Sequence, residues 1–231
     1  STASKLSRIR KEMADAGCDT HIVSTLDDTC WTLNIRGNDI DFFPLVLSYA
    51  IIKKDSFELY IDERKLDDKL KALLKKEGVN FHPYNAIYED VKKLPAGANV
   101  MIDKAKLNYA IYNNIPDSVH TVNKRNPAIL MKALKNPVEV ENIKKAEIKD
   151  SIAHVRFMKW LKENVGKTKI TEISASAKLD EFRAEMGNFI RDSFEPISSF
   201  GPHSAIVHYT SSPETDVEFH PGTLYLSDTG A

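Results

Sequence analysis

The chain has 231 residues, of which 42% are hydrophobic and 28% are charged, and its formal net charge is -1. This composition is typical of a globular protein that buries a core. Because charges of both signs are interspersed, we expect neither nucleic acid nor an anionic membrane surface as a partner. The sequence contains no apolar run of the roughly 18 residues that a membrane-spanning helix requires.

The cellular compartment is predicted from the cysteines and from the first residues. Cys18 and Cys30 lie in different segments, without a CxxC pair or a neighbouring histidine cluster. We interpret them as reduced thiols rather than a disulfide. The N-terminal residues lack the apolar core of a signal peptide. These features together predict a cytoplasmic protein.

Helical and strand-like patterns alternate through the first 130 residues. Apolar periodicity and glycine stops predict helices in SKLSRIRKEMADAGC, DDTCWTLNIRG, RKLDDKLKALLKKEG, AIYEDVKKL and KLNYAIYNNI. Strands are predicted in THIVS, PLVLSYAIIKK, SFELYID, VNFHPY, NVMID and VHTVN. The nearly continuous apolar run PLVLSYAII indicates a central strand that is buried on both faces. The sequence therefore predicts an α/β fold with a mixed sheet between helices.

Two long helical patterns follow a domain boundary that we place at residues 125–136. Asn136 and Pro137 are typical of a helix start, and the helix they open is expected to run for about 28 residues. Thr171 caps a second amphipathic helix that stops at Gly187. Beyond it, SAIVHY and TLYLSD are predicted strands. The predicted domains are residues 1–130 and residues 131–231.

Several motifs resemble the pita-bread metallopeptidases, and within them the aminopeptidase P branch. The resemblance is carried by PISSFGPHSAIVHYTSSPET and LYLSDTGA, together with TEISASAKLDEFR and NPVEVENIKKAEIKDSIA. The segment LDDTCWTLNIRGNDIDFFPLVLSYAII looks like the middle, creatinase-N-like domain of the three-domain form. The resemblance implies a creatinase/prolidase N-terminal-like mixed sheet with flanking helices, followed by a partial pita-bread α+β catalytic domain.

The resemblance also implies roles for three residues. Asp228 matches the first ligand of a two-metal centre, for which manganese is the expected metal. His208 matches a histidine that lines the substrate pocket and hydrogen-bonds the substrate or the intermediate without binding metal. Arg36 fits a loop near the active-site mouth, where it would bind substrate. His203 stands where the family often carries asparagine, so a role carries over poorly: a position at the border of the pocket and an ordinary loop histidine are equally compatible with the sequence.

The residues themselves leave simpler alternatives open. An aspartate before Thr-Gly often forms an Asx-turn, as Asp228 could. A single histidine in an apolar strand, such as His208, is commonly a hydrogen-bonded core residue. Arg36 is equally compatible with a surface position. If the resemblance holds, strand alternation predicts that His208 and Asp228 face the same side of the catalytic sheet.

The activity implied is that of a metal-dependent Xaa-Pro aminopeptidase, which releases the first residue of peptides that carry proline second. A homodimer is expected. The other four metal ligands have no match here, so we expect a fragment that comprises the middle domain and the opening of the catalytic domain. By itself it should bind no metal and be inactive. The alternatives are an Xaa-Pro dipeptidase, a creatinase-like amidinohydrolase or a non-catalytic pita-bread binding module.

Overall fold

The structure is a computed structural model that describes all 231 residues. The chain forms two compact units, one of residues 1–40 and 44–134 and the other of residues 41–43 and 135–231. None of the helices combines the length and the apolar character needed to cross a lipid bilayer.

The first unit is a six-stranded mixed sheet with helices on both faces, as the sequence predicts. Its strand order is β4-β3-β2-β1-β5-β6, with antiparallel pairs β1/β2 and β2/β3 and three parallel pairs. The helices are α1 (Thr2–Asp15), α2 (Leu26–Leu33), α3 (Asp68–Lys76), α4 (Ile87–Asp90), α5 (Tyr109–Asn113) and α6 (Pro127–Ala133). The strands are β1 (Thr20–Val23), β2 (Ser48–Lys53), β3 (Phe57–Ile61), β4 (Val79–His82), β5 (Asn99–Ile102) and β6 (His120–Asn123).

The central strand β2 contributes to two separate cores because its side chains alternate between the faces of the sheet. Ala50 and Ile52 belong to a core with residues of α1, α2, α3 and α6. Tyr49 and Ile51 belong to a second core with residues of α4 and α5. The prediction of a central strand buried on both faces is confirmed, since all four residues are less than a tenth exposed.

The predicted strand PLVLSYAIIKK is shorter in the structure and begins only at Ser48. The preceding residues bond to a loop instead of to the sheet. Pro44 accepts the backbone N–H of Gly37, and Leu47 donates its N–H to the Asp39 carboxylate at 2.7 Å. These bonds hold the loop that follows α2 against the entrance to the strand.

The second unit contains two helices and a two-stranded sheet. They are α7 (Pro137–Asn164), α8 (Glu172–Glu185), β7 (Ile197–Phe200) and β8 (Tyr225–Asp228). The predicted length of α7 and both predicted caps are confirmed. Asn136 and Thr171 each form a capping box. The side chain of the cap residue accepts the backbone N–H of the third helical residue, and the side chain of that residue accepts the backbone N–H of the cap.

The prediction that SAIVHY forms a strand is wrong. Residues Gly201–Ala205 form a 3-10 turn, and the strand that pairs with β8 is the preceding segment ISSF. His208 has a left-handed backbone with φ of 56°, which no strand residue adopts. The physical reason is tertiary: the buried carboxylate of Glu172 binds His203 and Tyr209, on either side of His208, and bends the segment into a loop.

We predict that Phe57→Ala destabilises the first unit strongly. Phe57 is fully buried in β3, and removing a buried phenyl ring costs about 3–5 kcal/mol of unfolding free energy. Leu73→Ala is the control, because Leu73 lies in α3 with 56% of its surface exposed and should change stability by about 0.5 kcal/mol or less. Urea unfolding measures both; equal effects would contradict the assignment of the core.

Candidate functional site

Asp228 is the last residue of β8 and lies opposite Ile197 of β7. Paired residues share a face of the sheet, so Asp228 lies on the same face as Leu226 and Ser199. The opposite face carries Phe200 and the half-buried Tyr225, which pack in the core formed with α7 and α8. Asp228 is exposed, and its carboxylate forms no hydrogen bond or ion pair within the chain.

The turn that follows Asp228 is held closely by neighbouring backbone. Gly230 accepts the backbone N–H of Ser193 at 2.9 Å. A Cβ atom at Gly230 would lie 2.3 Å from Ser193 Oγ and 2.8 Å from a ring carbon of Phe194. A larger residue at this position would force the side chains of Ser193 and Phe194 to move, so the close approach favours glycine.

A buried arginine fixes the same turn from the other side. Arg183 of α8 is only 3% exposed and donates to Asp150 at 2.8 Å, to Asp192 at 2.9 Å and to Asp180 at 3.3 Å. Its remaining Nη2 donates to the hydroxyl of Thr229 at 3.0 Å. The guanidinium group therefore connects two helices to the residue next to Asp228.

Asp192 has an unusual protonation equilibrium within this cluster. Burial and the nearby carboxyl of Asp180 raise the pKa of Asp192 to about 6, although Arg183 acts in the opposite direction. Three carboxylates thus compete for one buried cation. The cluster is sensitive to pH in a range where ordinary aspartates are fully ionised.

A second buried charge, Glu172, lies at the other end of α8. It follows the cap Thr171 and is fully buried. Its carboxylate accepts the backbone N–H of Phe200 at 2.6 Å and the hydroxyl of Tyr209 at 2.7 Å. Nδ1 of His203 lies 2.9 Å from one carboxylate oxygen and 3.2 Å from the other. The TEIS motif contains Glu172 but does not reveal this role, because an acidic residue at a helix start is ordinary in sequence.

The three predicted site residues are all exposed. His208 lies in the loop between His203 and Tyr209, and its imidazole has no hydrogen-bond partner in the chain. Since it is not on a strand, the alternation argument that paired it with Asp228 does not apply. Arg36 belongs to the first unit, where it lies exposed after α2 and forms no ion pair.

The chain holds no cluster of three or more His, Cys, Asp or Glu residues that could bind a metal ion. Asp228 nevertheless suits a hard divalent cation, because it offers an accessible and unpaired carboxylate at the end of a strand. A cleft of about 830 Å³ lies beside Thr229 and Gly230 and is lined partly by α7 and Arg183. Neither Asp228 nor His208 lines it.

Comparison with known proteins gives the family. The sequence pattern of the creatinase/prolidase N-terminal domain matches residues 1–139, which is more than half of the chain. The chain belongs to this family. The pattern of metallopeptidase family M24 matches residues 141–231, which include α7, α8 and the Asp228 turn. Residues 1–139 thus belong to the creatinase/prolidase N-terminal family, and residues 141–231 are similar to metallopeptidase family M24.

Individual relatives agree with this assignment. The chain is 35% identical over its whole length to a probable Xaa-Pro aminopeptidase P of Neurospora crassa, of which it covers 35%. It is 37% identical over 98% of its length to Xaa-Pro aminopeptidase 1 of Dictyostelium discoideum, of which it covers 36%. The chain thus spans little more than a third of these relatives.

Solved structures confirm the predicted fold class. An X-prolyl aminopeptidase from Caenorhabditis elegans, described as a cytosolic enzyme with a di-nuclear active site, has a TM-score of 0.89 at 29% identity. That similarity covers 99% of this chain and 38% of the other. An Xaa-Pro dipeptidase from Bacillus anthracis has a TM-score of 0.69 at 18% identity, covering all of this chain and 61% of the other, and shows the fold alone.

We predict that Arg183→Met destabilises the second unit by about 2–3 kcal/mol, because it removes charge-assisted hydrogen bonds to three partly buried carboxylates. Arg156→Met is the matched control. Arg156 is 41% exposed and pairs with Glu185 at the surface, so its loss should cost about 1 kcal/mol or less. The measurement is urea unfolding followed by a probe in the second unit. Similar costs for both variants would show that the Arg183 cluster is not structurally important.

Asp192 leads to a prediction about pH. The folded protein keeps the Asp192 proton up to pH about 6, whereas the unfolded chain loses it near the ordinary pKa of about 4. Folded protein therefore binds more protons in this window, and the stability due to Asp192 falls as pH rises through it. We expect the unfolding free energy of the wild type, minus that of Asp192→Asn, to decrease from pH 4 to pH 6.5. A difference that stays constant would contradict the raised pKa.

Proposed function

We propose that this chain is part of a metal-dependent Xaa-Pro aminopeptidase, which removes the first residue from peptides with proline in second position. The observation that carries the proposal is the Asp228-Thr229-Gly230 turn. It presents an unpaired carboxylate at a strand end, within the sequence that matches a metallopeptidase family. The relatives that match the whole chain are named for the same activity.

The proposed centre holds two divalent metal ions, and manganese is the metal we propose. Asp228 supplies one carboxylate ligand, and the other ligands are proposed to come from the rest of the metallopeptidase domain. Bound metal ions would activate a water molecule and polarise the scissile carbonyl. The chain's own contribution is to hold the carboxylate of Asp228 in place through the turn and the buried Arg183.

We propose that His208 donates a hydrogen bond to the substrate or to the developing oxyanion. It is exposed and has no partner in the chain, so its ring nitrogens are available. Arg36 is proposed to bind substrate, which its exposed and unpaired guanidinium permits. A proline in second position has no N–H to recognise, and this explains the need for a dedicated enzyme.

The remaining parts of the proposal concern organisation. We propose a creatinase-N-like domain over residues 1–130 and the opening part of a pita-bread domain over residues 131–231. A cytoplasmic homodimer is proposed for the protein. The description of the nematode neighbour as cytosolic supports the location.

The test uses the enzyme that contains this chain together with the rest of its metallopeptidase domain. Asp228→Asn should lower metal content and reduce kcat by more than about 100-fold. Mutation of a residue that only hydrogen-bonds a metal ligand typically costs about 10- to 100-fold, and loss of a ligand should cost more. His208→Ala should reduce kcat by about 100-fold with unchanged metal content, since it removes one hydrogen-bond donor. His220→Ala, at an exposed histidine of the same unit, is the control.

Substrate choice decides between the related activities. Cleavage of Xaa-Pro tripeptides and longer peptides supports the aminopeptidase, whereas cleavage of Xaa-Pro dipeptides alone would identify a dipeptidase. Loss of metal in His208→Ala would mark that residue as a ligand and contradict its proposed role. No cleavage with metal bound would favour a binding module.

A further inference from the structure

The buried carboxylate of Glu172 binds three groups that lie on both sides of His208. Phe200 ends β7, His203 lies in the 3-10 turn, and Tyr209 directly follows His208. All three reach the same two oxygens at 2.6–2.9 Å. One carboxylate therefore closes the loop of residues 200–209 at its start, its middle and its end.

The carboxylate of Glu172 forms no ion pair with a lysine or an arginine. The residue is the first of α8, where the helix dipole favours an anion. An ionised carboxylate only accepts hydrogen bonds, so Nδ1 of His203 carries its proton toward Glu172. The ring of His203 also stacks on Tyr209 with centroids 4.5 Å apart.

No contact of its own side chain fixes the orientation of His208. Its side chain is exposed and makes no hydrogen bond, and its backbone is left-handed with φ of 56°. That conformation is unfavourable for a residue with a Cβ and persists only where the surroundings impose it. On either side of His208, the side chains of His203 and Tyr209 are bonded to Glu172.

We propose that Glu172 is a positioning residue for His208: it locks the loop of residues 200–209 so that the imidazole is presented in one orientation. This inference rests on the proposed function for the role of His208. Glu172 acts on turnover indirectly. Its bonds to Tyr209 and His203 fix the loop backbone, and the loop backbone fixes His208.

The first experiment uses the chain by itself and does not depend on activity. Amide hydrogen exchange is compared for wild type, Glu172→Gln and Glu181→Gln, a control at an exposed glutamate of the same helix. In Glu172→Gln we expect exchange in residues 201–210 to accelerate by about tenfold or more, while α7 amides change less than about twofold. Unchanged exchange in the loop would overturn the proposal.

Tyr209→Phe serves as the second variant in case Glu172→Gln fails to fold. It removes one hydroxyl from the carboxylate but keeps the aromatic ring that stacks on His203. The same acceleration, confined to the loop, is expected. If loop exchange in Tyr209→Phe equals that of wild type, the carboxylate does not hold the loop and the proposal fails.

The second experiment is a double-mutant cycle in the active enzyme. Tyr209→Phe and Glu172→Gln should each lower kcat by about tenfold, equivalent to about 1.4 kcal/mol, with unchanged metal content. In the His208→Ala background the same changes should cost less than about twofold, because the group they position is gone. Independent, multiplying losses would show a merely structural role and overturn the inference.

The two experiments separate this inference from the proposed function. If the wild-type enzyme does not cleave Xaa-Pro peptides, the proposed function fails, while the exchange data still report whether Glu172 holds the loop. If the enzyme is active but the cycle shows no coupling, the function stands and the positioning role is excluded.

Discussion

The second unit depends on a buried anion, the carboxylate of Glu172, at the junction of a helix, a strand and a loop. A fully buried carboxylate is costly unless it is well hydrogen-bonded, and here a backbone amide, a phenol and an imidazole all reach it. Each of these groups comes from a different part of the segment after α8. The hydrogen bonds to this one carboxylate therefore determine the path of the backbone through residues 200–209.

Helix α8 carries a second buried charge near its other end. Glu172 and Arg183 are 11 residues apart, which corresponds to about 16 Å along the helix axis. An anion at the start and a cation in the last turn both agree with the helix dipole. The first charge holds the loop that contains His208, and the second holds the turn that follows Asp228. One rigid element thereby supports both candidate site residues.

The first unit is stabilised differently, by apolar burial on two faces of one sheet. Strand β2 supplies alternate side chains to two cores, so its sequence is apolar at nearly every position. The polar groups within this unit are also paired: His21, fully buried in β1, bonds the backbone oxygen of Met101 and the side chain of Asn126. Desolvation in this environment lowers the pKa of His21 and favours its neutral form.

Local patterns were sufficient for most of the fold. Short-range periodicity and capping residues, which act over one or two turns, predict four elements of the structure. These are the central apolar strand, the helix that begins after Asn136, the cap at Thr171 and the strand that ends at Asp228. The quoted motifs also agree with the family patterns that match residues 1–139 and 141–231, because the order of motifs along the chain is itself a sequence property.

Only the tertiary structure decided the loop around His208. SAIVHY has the composition of a strand, but Glu172, more than 30 residues earlier, binds His203 and Tyr209 and prevents it. The partners of Arg183 are likewise spread from Asp150 to Thr229. Local propensity contributes tenths of a kcal/mol per residue, whereas leaving a buried charge without partners costs several kcal/mol. Long-range electrostatics therefore determined the conformation at the candidate site, and no local pattern in the sequence records it.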